Sequence, residues 1–421
     1  GTGSVALSVS AIDTVLGGAQ TDTVVMLSAG NLSVSNVETV QGTTATSDAV
    51  QMMAAGTVAL SAVDSVIGTT GSVDILQMVG SDGEAVSVSA METVRGSSGT
   101  DSVTLLASGG VAVSNVETVV GTTGSDSVVY QSGGTLSVSA IETVTGTTGT
   151  GDVAAIMATE ATTLSVSGIE SVLGTTDQTE VVRMIQSGNL GASNVETVVG
   201  STAAADVVRL LGDGNLTVSG VETAIGSTGN SDALTLLNSG VAVSAFESVT
   251  GTASADTVTM LGTDLSVSSV ETVLGSSGVD TLNYLANGTV AVSGVEVVVG
   301  LTSAGDVTRM LSAGALSASE IESVIGTTGT DTLTLVGSGV SASVSAIETV
   351  IASSAGGDSV RLLAAGTLGV SAVETVVGTL DADTARMLAS SATTLSVSNV
   401  ETVLGTSAYA DTVEMMSGSA L

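Results

Sequence analysis

Any chemistry in this chain has to come from carboxylates. Of its 421 residues, 41 are Asp or Glu and six are Arg; Lys, His, Cys and Trp are absent, and the net charge is −35. A Ser or Thr nucleophile would have no ordinary base beside it. The carboxylates are also repeated many times over, whereas an active site is a singular place, so the residues predict no enzyme. Nucleic-acid phosphates need basic contacts that this chain lacks, and an anionic membrane surface would repel it. Cations are the natural small partners. The lack of Cys excludes disulfides and thiol chemistry and suits life outside the cell without disulfide machinery.

The acidic residues are strictly spaced. One set stands in the motif [VIMF]-[ED]-[TS]-V and recurs from Asp13, Glu38, Asp64, Glu92, Glu117, Glu142 and Glu170 to Glu401, at a mean spacing near 26 residues. Ala224 and Val297 are the only departures from its Val and its Thr or Ser. A second acid follows nine or ten positions later, as at Asp22, Asp48, Asp74, Asp101, Asp126, Asp152, Glu180 and Asp206. The two sets hold 32 of the 41 acidic residues, so the charge belongs to the repeat and not to an acidic tail.

The elements that must carry these acids are short strands. Between Gly121 and Gly146 the alternating, β-branched runs Ser127–Gln131, Thr135–Ser139 and Ile141–Thr145 are separated by Gly- and Ser-rich breaks. No repeat contains a ten-residue helical pattern. Three such strands cannot bury a face alone, so repeats must stack. The composition agrees: hydrophobic residues are 43% of the chain but aromatics only 1%, which calls for a thin core of Val, Leu and Ala. We expect an all-β fold, a right-handed parallel β-helix (β-solenoid) of about 16 coils of ~26 residues with three short strands per coil, roughly 75–80 Å long. Residues 1–421 form a single continuous solenoid domain on this reading. With no caps visible and both ends reading as repeat (Gly1–Ser4, Ser417–Leu421), it is expected to be part of a longer chain or an assembly. No apolar run of 18 residues is present, so no membrane insertion by a helix is expected.

One repeat per coil has consequences for side chains. Leu32, Leu136, Leu164 and Leu216 should share one inward ladder, with Val34, Val88, Val138 and Val166 on another. Val24, Val50, Val103 and Val128 should form a third, with Met26, Met52, Leu105 and Tyr130 two residues on. Glu117, Glu142 and Glu170 should be axial neighbours, in ladders of like charge about 4.8 Å apart that repel by roughly 1 kcal/mol per pair in bulk water. Five of the six Arg fall three residues after the second acid, a position that must face solvent. Each third strand ends in a pair such as Val119-Val120 or Val172-Leu173. The first member reads as core and the second, which is also Gln41, Arg95, Thr145 or Thr250, reads as exposed. The exposed members would form an apolar stripe along the outside, a mark of protein–protein contact.

The loop before the first strand carries a further pattern. Gly121-Thr122-Thr123-Gly124-Ser125-Asp126-Ser127-Val128-Val129 resembles the glycine-rich nonapeptide of calcium-binding RTX (hemolysin-type) repeats, Gly-Gly-x-Gly-x-Asp-x-apolar-x, with one Gly replaced. The resemblance covers about a third of each repeat. It implies secretion and Ca²⁺ held between neighbouring turns, with Asp22, Asp48, Asp101, Asp126, Asp152, Asp232, Asp280 and Asp331 as the loop ligands. Without calcium, the same acids read as hydrogen-bonded turns, as carboxyls of which some stay protonated, or as a solvated edge. Together these features lead us to expect an extracellular or cell-surface structural protein. It would self-associate end to end or laterally, or bind other surface proteins, as a filament, sheath or surface layer. The alternative is a calcium-binding stalk module of a secreted adhesin. An ice-binding protein is a distant third, because the flat exposed Thr-x-Thr array it needs is not found.

Overall fold

The computed structural model describes residues 4–45, 47–157, 162–176, 179–203, 205–229, 231–303, 305–353 and 356–416, so most of both terminal stretches named above lies outside it. The chain forms two compact units, 1–212 and 213–421. Strands numbered in chain order run from β1 (Ala6–Val9) to β24 (Val207–Leu210) in the first unit and from β25 (Asn215–Ser219) to β48 (Thr412–Met415) in the second. No helix occurs among the described residues.

Each unit is a parallel β-solenoid, but the coil is not the sequence repeat. A strand pairs with the strand two places along, never with the third. β13 (Gly110–Ser114) pairs with β15 (Ser127–Tyr130), β15 with β17 (Thr143–Thr145), and β17 with β19 (Thr162–Ser167). β14 (Thr118–Val120) pairs with β16 (Thr135–Ser139), and β16 with β18 (Val153–Ile156). Within each unit, then, odd-numbered strands make one sheet and even-numbered strands the other. One coil is two strands, roughly 17–18 residues, and the three-strand repeat spans one and a half coils.

The turns explain why. A triangular coil of three strands needs corners that bend the chain without reversing it. Here all three kinds of turn deliver the chain to the opposite sheet. After the first strand of a repeat comes a Gly turn, with Gly133 and Gly134 at φ +71° and +104°. After the second comes one left-handed residue, as at Ala140 (φ +51°) or Asn115 (φ +51°), a conformation Asn and Gly favour and Ala tolerates at a cost. After the third comes the Gly-to-Asp loop. The three strand types are interchangeable as neighbours because each alternates inward and outward in the same way.

The core lies between the two sheets. Leu32, Val34, Val50 and Met52 are all buried, as the alternation predicts, but their ladders differ from the expected ones. Leu32 stands beside Val50 and Val34 beside Met52, so different strand types alternate along each ladder. The Arg position is exposed throughout, at Arg183, Arg209, Arg309, Arg361 and Arg386.

Candidate functional site: acidic turns and acid-poor faces

The acids gather at the turns. The loop that enters the first strand of a repeat starts at a Gly in every repeat but one, where Ala352 stands. A Cβ on Gly121 would lie 1.9 Å from the carbonyl oxygen of Ala140, the left-handed residue of the next coil. Five residues on, Asp126 closes the loop. The Thr122 N–H and hydroxyl donate to its Oδ2 at 2.6 and 2.8 Å. The Gly109 N–H, one coil back, donates to its Oδ1 at 2.8 Å. The Asp126 N–H in turn donates to Glu142 Oε2 at 2.6 Å, and the Asp126 carbonyl accepts from the N–H groups of Glu142 and Thr143. One carboxylate thus ties its own loop to the coil before, while the Glu of the motif ties the coil after.

This geometry revises the expected ladders. Asp126 and Glu142 stand at the starts of β15 and β17 in one sheet, while Glu117 precedes β14 and Glu170 precedes β20 (Ser171–Leu173) in the other. Glu117 and Glu170 are therefore three strands apart, roughly 14 Å, and Glu142 is on the opposite edge. The close acidic neighbours are an Asp and a Glu of adjacent coils, and N–H groups stand between them.

The eight residues proposed as calcium ligands each accept from their own loop, and six of them also from the coil before. Asp22 accepts from the Val5 and Gly18 N–H groups, Asp48 from Gly30 and Thr43, and Asp101 from Glu84 and Ser97. Asp152 accepts from Thr147, Asp232 from Gly214 and Ser227, Asp280 from Ser276, and Asp331 from Gly314 and Thr327. All eight are buried. A calcium cage needs six to eight converging oxygens. Here N–H and O–H donors point at the oxygens that would serve, and among the described residues no three acidic groups converge as a metal site. The loops fit hydrogen-bonded turns.

Among the described residues three buried oxygens depart from this satisfaction: Glu180 Oε2, Asp256 Oδ1 and Asp306 Oδ1 have no hydrogen-bond partner. Glu180 stands where the other repeats have Asp. Burial pushes its carboxyl above the ordinary glutamate value, the Thr175 hydroxyl opposes the rise, and the neighbouring Glu196 adds to it. Asp383 shows the opposite balance. Burial pushes it up, but the Thr379 N–H and hydroxyl and the Gly366 N–H outweigh that and hold it below the ordinary value. Glu84 replaces the usual Gly one coil before Asp101; burial raises its carboxyl, the Ala62 N–H opposes this, and the Asp101 charge adds to the rise.

The sheet faces are the reverse of the turns. Among the described residues only Glu180, Asp264 and Glu414 of all the acids lie inside strands, whereas all six Arg do. The exposed member of each expected Val-Val pair does point outward: Val119 is fully buried while Val120 is half-exposed. The expected single stripe is in fact divided, because successive repeats present this residue on opposite sheets. A second outward series had no place in the sequence reading. The residue following each first strand is large, apolar and exposed, as at Leu27 (65%), Leu106 (53%) and Leu211 (48%), with Gln131 the exception. The signal was available, since the position lies five residues after the second acid; in the run Ser127–Gln131 it is the last residue of a strand, and Gln131, its one polar member, hides the apolar series.

These features define a parallel β-solenoid repeat protein with hydrogen-bonded acidic turns and faces nearly free of acids. Compared with known protein families, with curated proteins and with solved structures, the chain finds no match.

Proposed function

We propose that this chain is an extracellular structural repeat protein that assembles into a filament, sheath or surface layer. The observation that supports this best is the separation of charge from surface. Acids fill the turns, and the broad faces are left nearly free of them with aliphatic side chains at regular intervals. Such a molecule is soluble along its edges and adhesive on its faces. A monomer with no assembly role has little use for repeated exposed Leu, Ile and Met side chains.

Sedimentation and electron microscopy of the purified protein test the reading. Ordered multimers that grow with concentration are the expected result. Isolated particles that bind calcium and lose β signal in chelator would instead favour the calcium-binding stalk module of a secreted adhesin.

A further inference from the structure

The two faces of the first unit are not alike, and the one-and-a-half-coil repeat is what separates them. In residues 1–212 the outward end residues of the third strands on the even-numbered sheet are Leu16, Ile67, Val120 and Leu173. On the odd-numbered sheet they are Gln41, Arg95, Thr145 and Val199. The residues after the first strands divide the same way. Met53, Leu106, Met157 and Leu211 lie on the even side, and Leu27, Val79, Gln131 and Ile185 on the odd.

The two series meet. Ile67 pairs beside Gln51, two residues before Met53; Val120 pairs beside Thr104, two before Leu106; Leu173 pairs beside Ala155, two before Met157. Adjacent strands and a two-residue offset put each couple roughly 8 Å apart at Cα, within contact of long side chains. On the even face every such couple is wholly aliphatic: Met53 with Ile67, Leu106 with Val120, Met157 with Leu173. On the odd face the corresponding couples are Leu27 with Gln41, Val79 with Arg95, and Gln131 with Thr145, and only Ile185 with Val199 is aliphatic throughout. No Asp or Glu occurs in any even-numbered strand from β2 (Thr14–Leu16) to β24, and Arg209 is the one charged residue there.

We infer that the even-numbered sheet of the first unit is the face on which a second copy of this chain docks, face to face. The inference rests on the assembly proposed above and names its surface and its partner. Charge selects the partner's orientation. Two molecules of net charge −35 meeting through their turns would bring rows of carboxylates together, whereas two even faces meet with none. Period selects the occupant, since a copy of the chain carries the same aliphatic couples at the same interval of three strands, roughly 14 Å. Area is sufficient. Twelve strands at 4.8 Å and about five residues of width give roughly 800–900 Å² per face, the size of one side of a stable specific interface.

The test uses substitutions the chain itself makes at equivalent positions. Ile67→Thr, Val120→Thr and Leu173→Thr copy Thr145, and Leu106→Gln and Met157→Gln copy Gln131, so the fold is preserved; circular dichroism confirms it. The control removes the aliphatic residues of the odd face by Leu27→Gln, Val79→Gln, Ile185→Gln and Val199→Thr. Analytical ultracentrifugation should show wild type and control associating alike, and the even-face variant weakened at least 100-fold. An even-face variant that associates like wild type overturns this inference and leaves the assembly reading standing. A wild type that stays monomeric to about 100 µM overturns both.

Discussion

At the scale of single residues, the two most regular features of the sequence, the loop Gly and the second acid, have structural work that needs no ligand. Gly121 is fixed by the approach of the Ala140 carbonyl, and a Cβ there would also sit 2.9 Å from Asp126 Oδ2. Gly121→Ala should cost about 1–3 kcal/mol through overpacking against the Ala140 carbonyl, read as faster amide exchange in the coils around β15 and β17. Glu180 and Asp383 give opposite pH signatures. A carboxyl raised by folding, as in Glu180, binds its proton more tightly in the native state. It therefore lowers stability as pH climbs from the unfolded glutamate value of about 4.3 through the raised one. Glu180→Gln should raise the thermal midpoint at pH 7 and change nothing below about pH 4. Asp383 is lowered by folding, so its contribution is present above the unfolded aspartate value of about 3.9 and is lost as pH falls through the folded one. Asp383→Asn should lower the midpoint at pH 7 and be nearly silent in strong acid.

At the scale of elements, the strands were legible and their stacking was not. The run Thr135–Ser139 is a strand with those bounds, and Ser127–Gln131 and Ile141–Thr145 contain the strands Ser127–Tyr130 and Thr143–Thr145. Alternation reports a strand's two faces, but it carries no record of which neighbour the strand meets. Here first, second and third strands all offer the same inward apolar pattern, so nothing in the pattern forbids Val128 from standing beside Val144 instead of beside another first-strand Val. What decides is the turn, and the left-handed residue between second and third strands is Ala more often than Asn, which hides it. One mismatch in the core shows how closely such neighbours must agree. β33 (Thr281–Tyr284) brings Tyr284 where most repeats have Leu or Met, and β36 (Val307–Met310) brings Thr308 where most have an aliphatic residue. The Tyr284 hydroxyl lies 3.0 Å from Thr308 Oγ1 and donates to the Val307 carbonyl at 3.1 Å. Tyr284→Leu strands a buried Thr hydroxyl and should cost about 1–3 kcal/mol beyond the lost ring packing. Adding Thr308→Val should recover that part, with a coupling of about 0.5–3 kcal/mol in a double-mutant cycle.

At the scale of the whole molecule, the charge that dominates the composition is confined to turns already closed by hydrogen bonds, and this decides how the protein should respond to ions. Asp and Glu of adjacent coils repel across about 4.8 Å, and the Glu members, such as exposed Glu142, meet solvent. Salt acts on such a row by screening: the Debye length falls from about 30 Å at 0.01 M to about 3 Å at 1 M. Stability should therefore rise with ionic strength whatever the cation. If the donors around Asp22, Asp126 and Asp331 close the loops, chelator should leave the far-ultraviolet β signal and the thermal midpoint unchanged. Sodium and calcium chloride at matched ionic strength then separate the two accounts of the acidic loops. Equal midpoints in both salts follow from screening alone. A calcium-specific rise that saturates at millimolar or lower concentration would mean that the cation displaces N–H donors from the Asp oxygens and rebuilds the turns around itself.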